Sequence, residues 1–134
     1  MTTGDAVIAF GLTLPRSYDV LVRDQRKLRV GRIVYVALSR DESVIGFAFP
    51  KDERDALVAS DPSRFRLPAR PSDLRYRWCE AYLDQLDDAE MRELVLDAWC
   101  MCVPPSLAHA ELSRRTPSRS SSGVAANDRR SRSG

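Results

Sequence analysis

Arginine is the residue type in this sequence with the clearest chemical potential, since it supplies 19 of the 21 basic residues. The basic residues are concentrated in two clusters. Residues 16–32 hold six of them against two acids, and residues 64–77 hold five against one. A guanidinium group binds phosphate or carboxylate oxygens with paired hydrogen bonds, so both clusters are typical of a polyanion-binding surface. The alternative is that a GC-rich genome has enriched arginine without selection for binding.

A single basic patch would form if folding brought these two clusters together. In a strand over residues 75–83, alternation would send Arg75 and Arg77 to one face and Tyr76 and Trp78 to the other. The alternative is that the arginines lie at sheet edges and in loops, where they discourage edge pairing and solvate the surface. The residues predicted to bind nucleic acid are Arg23, Arg26, Lys27, Arg29, Arg32, Arg75 and Arg77.

The two tryptophans have ring faces on which bases stack, but both are predicted to lie in the core. Trp99 falls on the apolar stripe of the last predicted helix, and Trp78 alternates with other aromatic residues on one face of the sheet. Gly31 is compatible with a turn that approaches a phosphate, although a lone glycine between strands is more typical of a bulge or a turn. No glycine-rich phosphate loop is present, so no nucleotide cofactor is predicted.

Neither catalysis nor metal binding is predicted. The only histidine, His109, lies next to the basic tail, so no Ser/His/Asp or Cys/His set can be placed in the core. Glu90, Glu93 and Asp97 would share one helical face, and a solvated surface explains such a row more simply than a metal site does. The Cys-x-Cys pair at the end of that helix would point its thiols about 200° apart. We therefore expect a protein that is not an enzyme and that uses no cofactor and no metal.

The predicted organisation is one domain followed by a basic tail. The chain has 134 residues, of which 43% are apolar, and this suffices for an ordinary core. Residues 1–113 carry 15 basic and 18 acidic side chains, whereas residues 114–134 carry six arginines and one acid. We predict a folded domain over residues 1–112 and a disordered Arg/Ser-rich tail over residues 113–134. The tail either contacts nucleic acid or an acidic partner without specificity, or only raises solubility.

The sequence also predicts a cytoplasmic protein that does not associate with membranes. No run approaches the 18 uninterrupted apolar residues that a membrane span requires. The first ten residues have no basic patch ahead of their apolar stretch and no small-residue cleavage pattern, which argues against export.

Hydrophobic periodicity predicts an α+β fold, with helices packed on one face of an antiparallel sheet. Asp24–Lys27 is expected to be a turn, and residues 63–73 an irregular connection. Asp87 and Glu90 form an Asp variant of the capping box, and Pro104-Pro105 is expected to close the helix that follows. Helices are predicted over residues 5–12, 51–60 and from 88 onward, and strands over 18–22, 29–38, 44–49 and 75–83.

The strand over residues 44–49 alternates small and large side chains. Gly46 and Ala48 lie between Ile45, Phe47 and Phe49. Because neighbouring side chains of a strand point to opposite faces, one face of this strand is bulky and the other is thin. We expect another group to pack closely against the thin face.

The ordered set of these motifs resembles the MmcQ/YjbR family of small bacterial proteins over roughly residues 5–110. The resemblance implies a frataxin-like antiparallel sheet with helices packed against it, no established catalytic residues, and the DNA-binding label that many members carry. Arg32 replaces the lysine that usually follows the glycine, and residues 15–28 lack a histidine that relatives often have. The motifs are Leu12-x-Leu14-Pro15, Arg29-Val30-Gly31-Arg32-Ile33-Val34-Tyr35, Pro50-Lys51-Asp52-Glu53-Arg54, Asp61-Pro62-x-x-Phe65, Trp78, Leu94-x-x-x-Ala98-Trp99 and Pro104-Pro105-x-Leu107.

The sequence thus predicts a small, non-enzymatic binding protein. The leading hypothesis is weak binding of the backbone of DNA or another polyanion through the arginine-rich patch. The alternative is a protein-interaction module that uses the face of the sheet or a groove beside the last helix. The oligomeric state does not follow from the sequence.

Overall fold

The computed structural model describes residues 1–68 and 76–115 and confirms the predicted α+β architecture. Six strands form one antiparallel sheet in the order β1-β2-β3-β4-β6-β5. Helices α1 and α3 pack on one face of the sheet, and α2 contacts β5 and β6. The strands are β1 Ser17–Val22, β2 Gln25–Val30, β3 Ile33–Leu38, β4 Val44–Ala48, β5 Phe65–Arg66 and β6 Trp78–Tyr82. The helices are α1 Gly4–Gly11, α2 Lys51–Ser60, α3 Asp88–Cys100 and α4 Pro105–Arg115.

Two tight turns define the three N-terminal strands. Arg23 and Asp24 connect β1 to β2, and both have positive φ values, 53° and 67°, as a two-residue hairpin turn with right-handed twist requires. The predicted turn over Asp24–Lys27 is therefore too long, because β2 already starts at Gln25. Gly31, with φ 61°, divides the predicted strand over residues 29–38 into β2 and β3.

The core lies between the sheet and helices α1 and α3. Trp99 is fully buried there, as predicted, and its indole Nε1 donates a hydrogen bond to the carbonyl oxygen of Pro15 at 2.9 Å. Ile45 and Phe47 supply the bulky face of β4 and are also fully buried. The last helix of this layer begins with the predicted capping box, in which Asp87 accepts from the Glu90 amide and Glu90 accepts from the Asp87 amide.

Helix α2 is tied to the beginning of β6 by a buried cation. Arg54 is 5% exposed, and its Nη1 donates to the carbonyl oxygens of Tyr76 at 3.2 Å and Trp78 at 3.3 Å. Burying a charge is costly unless hydrogen bonds compensate it, and here main-chain oxygens provide that compensation. The helix thereby fixes the backbone position of residues 76–78.

The described residues divide into two compact units, one over Met1–Cys102 and one that begins at Val103, and the second contains a helix that was not predicted. Pro105 starts α4, a position where proline is favoured because its missing amide hydrogen has no helical partner to lose. Glu111 forms ion pairs with Arg114 and Arg115, and the hydrogen bond from Arg114 is the main cause of the lowered pKa of Glu111. The helix extends three residues into the segment predicted to be disordered, and residues 116–134 lie outside the described residues.

Removing the capping side chain should destabilise α3 and with it the fold. We expect Asp87→Ala to lower the free energy of unfolding by about 0.5–2 kcal/mol, because the Glu90 amide loses its acceptor. Denaturant titration at neutral pH measures the change. The matched control is Asp88→Ala, which removes a carboxylate from the same helix turn but no cap. Equal losses in the two variants would contradict the role assigned to the capping box.

Candidate functional site

A groove of about 660 Å³ runs across the face of the sheet opposite α1 and α3, and we call it the sheet groove. Its floor is one row of directly paired residues, each from a different strand. Small side chains occupy the centre of the row and charged side chains its ends, so the floor is low in the middle. The row is Lys27, Ala37, Gly46, Glu80 and Arg66.

Trp78 forms a wall of the sheet groove by resting on Gly46. A Cβ atom built on Gly46 would lie 2.6 Å from Nε1, 2.9 Å from Cε2 and 2.8 Å from Cζ2 of Trp78, so the edge of the indole meets the glycine. The close packing expected on the thin face of β4 is therefore present. The prediction that Trp78 belongs to the core is wrong, because it is half-buried and lines the groove. Alternation in β6 instead sends Cys79 to the core.

An ion pair fixes the end of the floor that is nearest to β5. Arg66 Nε donates to Glu80 Oε1 at 2.7 Å, and the Arg66 guanidinium carbon lies 5.6 Å from the centroid of the Tyr82 ring. The Glu80 side chain is only 14% exposed. The hydrogen bond to Glu80 is the main cause of the raised pKa of Arg66, so the guanidinium stays charged and oriented towards Glu80.

Two of the seven residues predicted to bind nucleic acid line the sheet groove. Lys27 is half-buried at one end of the floor, and Arg77 is exposed just before β6. The Phe49 amide donates to the carbonyl oxygen of Arg77 at 3.0 Å, which places Arg77 beside the end of β4. Arg29 follows Lys27 by two residues in β2 and so lies on the same face of the sheet. Its Nε is buried and has no hydrogen-bond partner.

The other predicted residues do not join them. Arg26 points to the opposite face, where it donates to both carboxylate oxygens of Glu42 at 2.7 Å and to Asp5 at 2.8 Å. The hydrogen bond to Glu42 is the main cause of the raised pKa of Arg26, and the hydrogen bond to Asp5 contributes further. Because both carboxylates engage the guanidinium, it is not available to a ligand. Arg23 and Arg32 are exposed in the turns that precede and follow β2, at opposite ends of that strand. Arg75 lies outside the described residues.

The groove residues that were not predicted as site residues include Arg66, Tyr76, Trp78 and Glu80. Arg66 belongs to a segment expected to be irregular, and only its pairing with Glu80 in β5 and β6 brings it to the floor. Tyr76 and Trp78 were assigned to the face away from the arginines, but regular strand geometry starts only at Trp78. The sequence did indicate one of these contacts, because the small residues Gly46 and Ala48 on one face of β4 predict that a side chain packs closely there.

Charge is separated between the two faces of the sheet. Among residues 1–68 and 76–115, the groove face carries four cations and one carboxylate: Lys27, Arg29, Arg66, Arg77 and Glu80. Helices α1, α2 and α3 together contain eight carboxylates and three basic residues. A phosphate group is therefore attracted to the groove face and repelled by the helical layer.

The described residues offer little for nucleophilic or metal chemistry. Burial raises the pKa of the Cys79 thiol to about 11, which keeps it protonated at neutral pH. Burial is also the main cause of the raised pKa of Asp97 on α3, with further contributions from Glu93 and Glu53. Within residues 1–68 and 76–115, no group of three or more His, Cys, Asp or Glu residues is placed to hold a metal ion. None of the helices described is both long and apolar enough to cross a bilayer.

Comparison with known proteins gives a family and a fold. The model of the YjbR family matches residues 12–101. The crystal structure of a Deinococcus radiodurans protein with a DUF419 domain is similar, with a TM-score of 0.65 and 16% identity over 75% of this chain and 78% of that one. At this identity the similarity concerns the fold alone. No curated protein matches the chain significantly.

A methyl group at position 46, in the floor of the sheet groove, should displace the Trp78 indole. In Gly46→Ala the new Cβ would lie 2.6 Å from Trp78 Nε1, so the indole must move. We expect the indole N–H signal of Trp78 to shift in NMR spectra, that of buried Trp99 to stay, and stability to fall by about 1–3 kcal/mol.

Gly31→Ala is the matched control, because its Cβ would meet no atom within 4 Å and strain arises only from φ 61°. It should lower stability without moving the Trp78 signal. An unchanged Trp78 signal in Gly46→Ala would contradict the close approach of ring and glycine.

Proposed function

Because the chain belongs to the YjbR family and three basic residues line the sheet groove, we propose that it is a binding protein that holds the phosphate backbone of nucleic acid there without catalysing a reaction. The observation that carries this proposal is the separation of charge. Four cations and one carboxylate of the described residues lie on the groove face of the sheet, whereas α1 and α3, which pack on the other face, together carry five carboxylates and one arginine. A polyanion therefore has one favoured side from which to approach.

Arg29 strengthens the proposal because one of its donors lacks a partner. A buried polar atom is normally hydrogen-bonded, and an unpaired one costs free energy. The Nε of Arg29 is such an atom, on the same strand face as Lys27. A phosphate oxygen is an acceptor of the charge that this group requires.

The same arrangement predicts weak binding. Arg66 is paired with Glu80, so of the four cations described on this face, Lys27, Arg29 and Arg77 are left to contact phosphates. Each phosphate neutralised on a single strand contributes about −0.7 to the slope of log affinity against log salt concentration. Three contacts give a slope of about −2, which is small compared with that of tight nucleic-acid-binding proteins.

The absence of catalysis is part of the proposal and is supported by the groove's own residues. The one groove carboxylate, Glu80, is engaged by Arg66. Two sulfur-containing side chains, those of Met101 and Cys102, line the groove. Burial raises the pKa of the Cys102 thiol, which disfavours the nucleophilic thiolate. These side chains are suited to holding a ligand rather than to transferring a proton or forming a bond.

Removing the two groove cations should weaken binding and flatten its salt dependence. We expect the double substitution Lys27→Gln and Arg77→Gln to lower affinity about tenfold for any sequence and to reduce the salt slope by about 1.4. Fluorescence anisotropy with a labelled strand of about 12 nucleotides, measured at several salt concentrations, tests this.

The matched control is the pair Arg23→Gln and Arg32→Gln, which removes the same charge from the two turns at the ends of β2. A chain ending at Arg115 separates the contribution of residues 116–134. Equal loss in the two double variants, or affinity that ignores salt, would contradict the proposal. Isolation of a stoichiometric protein partner that resists nuclease treatment would instead favour a protein-interaction module.

A further inference from the structure

Resting on this proposed function, we infer that the sheet groove accepts an unpaired base, so that the protein binds single strands in preference to duplexes. The base would stand in the recess beside Trp78, with its polar edge towards Glu80. The phosphates on either side would contact Lys27 at the other end of the floor and Arg77 just before β6.

The recess exists because the centre of the floor has almost no side chains. Ala37 and Gly46 are directly paired, and Ala48 follows on the same face of β4. The groove volume of about 660 Å³ lies within the range of about 300–1,000 Å³ that is typical of small-molecule sites. A duplex keeps its bases paired inside a convex cylinder and presents nothing that fills such a recess, whereas a single strand can turn a base into it.

Aromatic side chains border this recess. The indole edge of Trp78 rests on Gly46, and Tyr76 is 60% exposed two residues earlier. Arg54 holds the carbonyl oxygens of both residues, so the backbone that presents the two rings is fixed before a ligand arrives. Stacking on a preformed aromatic wall is the usual way in which proteins bind single strands with little sequence preference.

Charge at the two ends of the floor gives the strand an orientation. Lys27 and Glu80 are three strands apart in the sheet, which corresponds to about 14 Å. Phosphates are attracted to Lys27 at one end of the floor and to Arg77 just before β6, whereas Glu80 takes up the charge of Arg66. A base that extends from the backbone towards Glu80 leaves the phosphates in contact with these two cations.

Glu80 also predicts which bases are preferred. Arg66 donates to Oε1 only, and among the described residues no protein donor reaches Oε2. A carboxylate oxygen accepts a hydrogen bond from an exocyclic amino group, as carboxylates do from N4 of cytosine. Uracil has a carbonyl oxygen at that ring position, which would meet the carboxylate with like partial charge. Cytosine should bind more tightly than uracil.

The first experiment measures, with the full chain, anisotropy of labelled oligodeoxycytidine, oligodeoxyuridine and a duplex of equal length. We expect the cytidine strand to bind about tenfold more tightly than the uridine strand and than the duplex. Equal affinity for single strand and duplex overturns the inference. Equal affinity for the two single strands overturns the role of Glu80.

Variants then assign the effect to the groove. Trp78→Leu should weaken single-strand binding about tenfold and leave the salt slope unchanged, since no phosphate contact is lost. Tyr76→Ser should act in the same direction and cannot unfold the protein through lost burial, because the side chain is exposed. Leu21→Ser is its matched control, an equally simple loss of an exposed apolar side chain, 68% exposed, on a strand that does not line the groove.

Glu80→Gln separates base recognition from backbone attraction. Removing the negative charge should raise affinity for both single strands while abolishing the preference for cytosine over uracil. A preference that survives in Glu80→Gln contradicts recognition by the carboxylate. Loss of salt-dependent binding of every oligonucleotide would mean that the proposed function itself fails, whereas salt-dependent binding without strand preference would mean that only this inference fails.

Discussion

The structure depends on the missing side chain at Gly46. A methyl group there would approach the Trp78 indole to 2.6–2.9 Å, so the ring can occupy its position only because the residue is glycine. The same strand places Ile45 and Phe47 on its other face, both fully buried against the helices. The large residues of β4 therefore contribute to the core, and its small residues line the sheet groove. The alternation of large and small side chains along this one strand accounts for both features.

This alternation is also why part of the molecule could be predicted from the sequence. The pattern of β4, the extent of α2 and the capping box of α3 depend on neighbours within a few residues, and all three are confirmed. Helix α4 does not follow from the sequence pattern, because a proline is as typical of the end of one helix as of the first position of the next, and α4 begins with Pro105. Strand β5 was missed because two residues carry no periodicity, and only pairing with β6 defines it.

The candidate site was less predictable because charge in a sequence does not say which partner each charge will have. Lys27 and Arg26 are neighbours in β2, yet one lines the sheet groove and the other forms ion pairs with Glu42 and Asp5. Local alternation predicts that they face opposite sides, but the partners of Arg26 come from α1 and from the connection between β3 and β4. The position of Trp78 in the groove was equally hard to predict, because β6 begins at Trp78 and not at residue 75.

The link between α2 and β6 bears on how this site can change over evolutionary time. Arg54 reaches main-chain oxygens of residues 76 and 78, not their side chains. Any amino acid other than those that distort the backbone can therefore be exchanged at either position while the anchor stays intact. A substitution at position 76 or 78 therefore changes the surface of the sheet groove without removing the main-chain hydrogen bonds that hold this segment.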